Sequence, residues 1–255
     1  MLARPLKIIY EYFTLYSSLT LLGIICLTWS VIALPLYFIL PRRIGTAVGR
    51  RGIMSGFSLY AWSLRVTRSY LLDLHDIDSL KGGPPVILAP NHPCLIDALL
   101  ILTRHPNIVC VMKSALMRNV FLGAGSRLAR YVPNDSSRQM IKDSVAHLRE
   151  GGVLLLFPEG TRTTRAPINA LVGSVGLIAK HANVPVQTLV IETDSPFLSK
   201  GWPLFRRPAL PITYRVRLGK RFDPPSDVPA FTAELDRYYR HELESALQTR
   251  WLKRA

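Results

Sequence analysis

Val86-Ile87-Leu88-Ala89-Pro90-Asn91-His92-Pro93-Cys94-Leu95-Ile96-Asp97 decides how the rest of this chain is read. Val86 to Ala89 is a wholly apolar run that follows the turn-forming loop Lys81-Gly82-Gly83-Pro84-Pro85, the pattern of a strand covered on both faces. That strand delivers Asn91 and His92 at its carboxyl end. Pro93 suits the first turn of a helix, where its missing N–H costs nothing, and Ile96 to Leu102 continue the helix. A second stretch repeats the arrangement. Val153 to Phe157 reads as a buried strand, and Pro158-Glu159-Gly160-Thr161-Arg162 leaves it as a loop.

Outward from these two stretches the alternation continues. Tyr70 to Leu74, Ile108 to Met112 and Val186 to Ile191 are further strand candidates. Ile141, Val145 and Leu148 fall at helical spacing, with Gly151-Gly152 as the stop, and Gly173 to His181 is a further helix. Strands alternating with helices predict an α/β domain with a mainly parallel central sheet flanked by helices. In such sheets ligands bind beyond the carboxyl ends of the strands, where both loops lie. Near the end, Ile212, Tyr214, Val216 and Leu218 alternate with polar residues as a half-buried strand. Phe231, Leu235, Tyr238, Leu243 and Leu247 then mark an amphipathic helix, followed by a solvated or lipid-facing basic cluster from Arg250 to Arg254.

The N-terminus is of another kind. No Asp, Glu, Lys or Arg occurs between Glu11 and Arg42. Ser17 to Leu40 as a helix is roughly 36 Å long, against a hydrocarbon core of about 30 Å. The segment is longer than the core of a signal peptide, and Pro41-Arg42-Arg43 replaces a small-residue cleavage site. It predicts a retained hydrophobic membrane-anchoring helix, or a hairpin in one leaflet, kinked at Pro35. Residues 44–68 continue as an interfacial helix. The division expected is 1–68 as membrane anchor and interfacial helices and 69–255 as the catalytic α/β domain. Arg42, Arg43, Arg50, Arg51, Arg65 and Arg68 follow the segment, which places the domain on the cytoplasmic side, in a bacterial inner membrane.

The chain has 32 Lys+Arg against 17 Asp+Glu, a net charge of +15, and so demands an anionic partner. Nucleic acid would explain the charge but neither the apolar segment nor the two loops. Cys26, Cys94 and Cys110 form no disulfide framework and no Cys/His spacing of a zinc site, so no metal is expected. His92 and Asp97 offer a base with a carboxylate to fix its tautomer. Taken alone, the pair also has a bland reading, with Asn91 as a helix cap and Asp97 as a solvated helix charge. Gly160 allows close backbone approach, and Arg162 is a fork suited to phosphate. Cys94 is a weaker candidate nucleophile, pointing away from His92 on the simplest helix.

The pairing of Asn91-His92-x4-Asp97 with Phe157-Pro158-Glu159-Gly160-Thr161-Arg162, in this order, resembles the lysophospholipid (1-acylglycerol-3-phosphate) acyltransferase family from about Val86 to Val190. The resemblance implies a membrane-associated O-acyltransferase. Its acceptor would be 1-acylglycerol-3-phosphate, giving phosphatidic acid. It needs no resident cofactor, only acyl-CoA or acyl carrier protein thioester as co-substrate. It casts His92 as general base and Asp97 as its orienting partner. Lys113, Gly160, Thr161 and Arg162 would hold the acceptor's phosphate or the donor's anionic groups, with Glu159 positioning them. Lys113-x-x-Leu116 and Val184-Pro185-Val186 match two further family blocks. Asn134 stands where the family usually carries an Arg assigned to the acceptor phosphate. Thr188 replaces a second Pro, and Ala170-Leu171-Val172 replaces basic residues. Those departures admit a specialised lipid or polyene acceptor. A thioesterase or lipid hydrolase, or a non-catalytic binder of anionic lipid, would share parts of the same pattern.

Overall fold

The computed structural model describes residues 4–252, with side chains to residue 245. Leu247 and the basic cluster from Arg250 to Arg254 lie outside the described side chains. Seven strands form one sheet: β1 (Tyr70–Asp73), β2 (Val86–Pro90), β3 (Ile108–Met112), β4 (Val132–Pro133), β5 (Val153–Leu155), β6 (Val186–Thr193) and β7 (Ile212–Phe222). Their order is β1-β7-β6-β2-β5-β3-β4. Every pairing is parallel except β6 with β7, so the mainly parallel sheet read from the alternation is the one present. β2 sits centrally between β6 and β5 and is buried at every position, which is why its sequence is a continuous apolar run. β7 alternates buried and exposed residues over its first half, as its period-two pattern requires.

The helices are α1 (Arg4–Ile39), α2 (Arg42–Val66), α3 (Asp97–Leu102), α4 (Ser114–Met117), α5 (Gly123–Leu128), α6 (Ser137–Arg149), α7 (Ser174–Ala182) and α8 (Val228–Leu252). Helix α6 starts at Ser136, whose hydroxyl accepts from Gln139 N, and ends at Gly151 with φ +84°. The chain leaving β2 runs toward β3, while the chain leaving β5 runs the opposite way, toward β6. Connections that part in this manner open a crevice at the carboxyl ends of the two strands.

Helix α1 passes through Pro35 without interruption and is long and apolar enough to cross a membrane. It folds back on α2: Trp29 lies against Gly52, Ile25 against Gly56, and the Tyr10 hydroxyl donates to Thr67 O. The hairpin is docked on the domain along its whole length. Glu11 is buried and accepts from Arg207 and from Leu210 N. Ser30 donates to Phe121 O, and Ala33 packs with Ala124 and Leu128. Leu15, Ile53, Tyr60 and Leu64 belong to the same core as the strands. The opposite face of α1 presents Ile9, Phe13, Val31 and Phe38 outward.

Candidate active site

The site grows from the loop after β2. Asn91 does not cap a helix. Its buried side chain donates to Ile191 O at 3.0 Å and accepts from Ile191 N at 2.7 Å, clamping the loop to β6. Pro93 does not open the helix either, because α3 begins four residues later, at Asp97. One long-range and one local bond shape the intervening turn: Leu95 N donates to Leu198 O, and Cys94 N donates to Asp97 Oδ2 at 2.9 Å. The carboxylate therefore sits on the first residue of α3 rather than a turn inside it.

Asp97 is not a solvated charge; it is completely buried. Its Oδ2 is 2.7 Å from His92 Nδ1, and its Oδ1 accepts from the Tyr214 hydroxyl. Burial pushes the carboxyl up, and the hydrogen bonds from His92, Tyr214 and Cys94 N oppose that push. Donors converging on both oxygens suit an acceptor-only carboxylate. Held this way, Nδ1 of His92 carries the proton and Nε2 presents its lone pair. The ring stacks on Phe157, centroids 3.9 Å apart, and its side chain keeps 17% exposure. Nε2 has no partner among the described residues.

Glu159, also buried, takes another place than the one suggested by the motif. It forms no ion pair with Arg162. Oε1 accepts from His92 N at 2.9 Å and from the Thr163 hydroxyl at 2.8 Å, and Oε2 accepts from Asn169 N at 2.9 Å. Thr163 N donates to His92 O. The two motif loops are thus stitched together by one carboxylate. Gly160 makes the turn within the second loop at φ +66°, a conformation that side chains resist. Arg162 Nη1 donates to Leu198 O and Ser199 O, leaving Nε and Nη2 unspent. Thr161 is exposed and accepts from Lys200 Nζ at 3.3 Å.

Lys113 follows β3, two strands from β2 and so roughly 10 Å across the same end of the sheet. It is exposed and its ammonium has no partner among the described residues. The fold therefore gathers His92, Asp97, Glu159, Gly160, Thr161 and Arg162 into one cluster, with Lys113 at its flank. Asn134 lies exposed at the end of β4, its N–H on Met112 O. Cys94 is excluded as a nucleophile: it is buried, its thiol donates to Phe197 O, and burial pushes it up to about 12. Tyr214, Asn169 and Phe157 as a ring support were not singled out from the sequence.

Behind the cluster lies an apolar chamber of about 470 Å³ between the helical hairpin and the sheet. Leu95, Ile96 and Leu198 line its near end, with Trp29, Cys110 and Tyr131 among its other walls.

The site is a tautomer-fixed imidazole beside cations and an apolar chamber, and the chain around it is similar to known proteins. The sequence profile of the Acyltransferase family matches residues 72–192. Residues 72–192, just under half of the chain, are similar to that family. All of the motif residues lie inside that stretch, from His92 to Arg162. A 1-acyl-sn-glycerol-3-phosphate acyltransferase of Pseudomonas aeruginosa is 22% identical over 223 residues, spanning 85% of this chain and 83% of that protein. Among solved structures, the 1-acyl-sn-glycerophosphate acyltransferase of Thermotoga maritima superposes with a TM-score of 0.66 at 18% identity. The match covers 94% of this chain and 95% of that one, so the shared fold takes in the hairpin as well as the α/β domain.

Proposed function

We propose that the enzyme transfers a fatty acyl group from a thioester of coenzyme A or acyl carrier protein to the free hydroxyl of 1-acylglycerol-3-phosphate, forming phosphatidic acid. The observation that carries this reading is His92, fixed at Nδ1 by the buried Asp97 and unpartnered at Nε2, in a loop whose next residues line an apolar chamber. Nε2 removes the hydroxyl proton as the oxygen attacks the thioester carbonyl carbon. The carbon–sulfur bond then breaks, and His92 returns the proton to the departing thiolate. No acyl-enzyme is required, and the neighbouring Cys94 thiol is buried. Lys113, Thr161 and the unspent donors of Arg162 receive the phosphate or the donor's anionic groups, and Gly160 lets them approach. The chamber takes an acyl chain.

The hairpin lies in one leaflet of the bilayer instead of crossing it. Both Glu11 and Ala33 of α1 are held against the domain, whereas a span would carry one of them to the far side. Its outward Ile9, Phe13, Val31 and Phe38 enter the lipid, and the arginines from Arg42 to Arg68 suit the anionic cytoplasmic leaflet, the face on which we put the domain. The names of the two relatives support lysophosphatidic acid as acceptor. Asn134, at the position of the family's phosphate-binding arginine, favours a second reading: the same transfer to a specialised lipid hydroxyl.

The test is acyl transfer by detergent-purified protein, offered both thioesters with and without lysophosphatidic acid. Phosphatidic acid should form and should vanish in His92→Ala of unchanged circular dichroism. Wild-type turnover in that variant would sink the mechanism. Transfer only to other lipids would favour the second reading, and acceptor-independent release of free acid would identify a hydrolase.

A further inference from the structure

Four arginines outside the active site converge on a separate cavity. Arg42, Arg50, Arg127 and Arg130 line a hollow of about 380 Å³ between the start of α2, α5 and α6. It shares none of the residues from 91 to 97 or 159 to 163. None of the four makes an ion pair among the described residues, although Asp143 and Glu150 also line the hollow. Asp143 is engaged by Gln139 instead. Arg50 is half-buried and spends only its Nε–H, on Ala129 O at 3.2 Å. Arg127 spends one Nη1–H, on Met117 O at 2.6 Å. The Arg130 guanidinium rests over the Tyr37 ring, 5.0 Å from its centroid. The Arg42 side chain has no partner among the described residues. Each guanidinium carries five N–H donors in a fixed fork, so most of the donors here are unused; the charge of Glu150 bears on Arg50, and four arginines against two carboxylates leave the hollow net positive. His147 adds no charge at neutral pH: burial and Arg50 push it down to about 4, and its Nε2 faces Val153 O.

An oxyanion with several acceptor oxygens fits such a set of forks, and phosphate is the common one. The surroundings decide which phosphate. Tyr37 and Arg42 are followed or preceded by Phe38, Ile39 and Ile44, exposed at 77%, 72% and 54%. Val120 is exposed as well, close in sequence to Met117 on the cavity wall. Water-exposed apolar side chains next to a cationic hollow match an amphiphile, not a soluble anion. The geometry points to a head-group site for an anionic phosphodiester lipid at the turn of the helical hairpin, distinct from the catalytic cleft. Tyr131 walls both this hollow and the apolar chamber, so a bound head group steadies one wall of the chamber.

The test uses the full chain in neutral detergent and follows thermal unfolding. Dioctanoylphosphatidylglycerol should raise the midpoint by about 4 °C or more at saturation, and dioctanoylphosphatidylcholine should not. The double variant Arg42→Ala, Arg130→Asn should lose most of that shift; both side chains are exposed, and Asn tolerates the positive φ of Arg130. Lys113→Ala should keep it. Should the double variant not fold, Arg42→Ala alone should lose about half of the shift, by loss of one exposed cation. An undiminished shift in the pocket variants, or one lost in Lys113→Ala, overturns the site. An equal response to phosphatidylcholine overturns its charge selectivity. The same shift with inorganic phosphate or coenzyme A, lost in the double variant, overturns the lipid as its occupant.

Discussion

Two carboxylates hold the chemistry in place, and each is saturated by donors from distant parts of the chain. Asp97 takes its tyrosine from 117 residues away. Tyr214→Phe leaves Oδ1 buried without that donor, which should cost about 1–3 kcal/mol in a urea titration. The same variant should lower kcat more than it alters KM, because the imidazole loses its rigid support while the anion-binding residues stay in place. Glu159 takes His92 N, the Thr163 hydroxyl and Asn169 N on two acceptor oxygens. Gln has one acceptor, so an amide NH₂ must face a donor whichever way it turns. Glu159→Gln should therefore cost about 1–3 kcal/mol and raise KM as the two loops drift apart. A Gln variant as stable as the wild type would show that the stitch between the loops is not what holds them. Histidine 92, the aspartate and the arginine stood out in the sequence because their types and spacing state a chemistry. The roles of Asn91 and Glu159 did not, because a side chain that bonds backbone in another strand leaves no trace in local spacing.

Among the elements, β2 and β5 were legible as apolar runs, since a strand covered on both faces has no polar position to spare. Helix α3 starts later than the position of Pro93 predicts. Pro93 is compatible with a helical first turn, but the bonds of Leu95 and Cys94 to Leu198 and Asp97 hold the segment as a loop. The hairpin was legible as apolar, and its docking was not. A close approach to α5 is at Gly49, where a Cβ would lie 2.5 Å from Ala129 N and 2.7 Å from Leu128 C. Both are backbone atoms and cannot rotate away. Gly49→Val should push α2 off α5 at a cost of about 1–3 kcal/mol, seen as a lower unfolding midpoint. It should also speed proteolysis within the hairpin. An unchanged midpoint would mean that α2 is not seated on α5 at all.

For the molecule as a whole, stability should depend on pH through His147. Its folded-state value near 4 lies below the ordinary value of 6.5, so the unfolded chain binds the proton more tightly. Stability is then complete above about pH 6.5 and is lost as pH falls toward about 4, by up to about 3 kcal/mol. Urea midpoints at pH 7 and pH 4.5 should differ less in His147→Gln than in the wild type; an equal drop in both would assign the loss to other groups. The chain's sequence by itself determined the α/β class, the apolar hairpin segment, the basic charge and the two motif loops, because periodicity, turn residues and residue chemistry are written within a few positions of one another. Only the tertiary structure decided that Tyr214 supports Asp97, that Glu159 binds the loops rather than Arg162, that the hairpin roofs an apolar chamber, and that four arginines share one hollow. Those relations depend on sheet order and helix docking, which bring together residues separated by many tens of positions. No local pattern encodes which of the many possible pairings packs without leaving a buried donor unpaired.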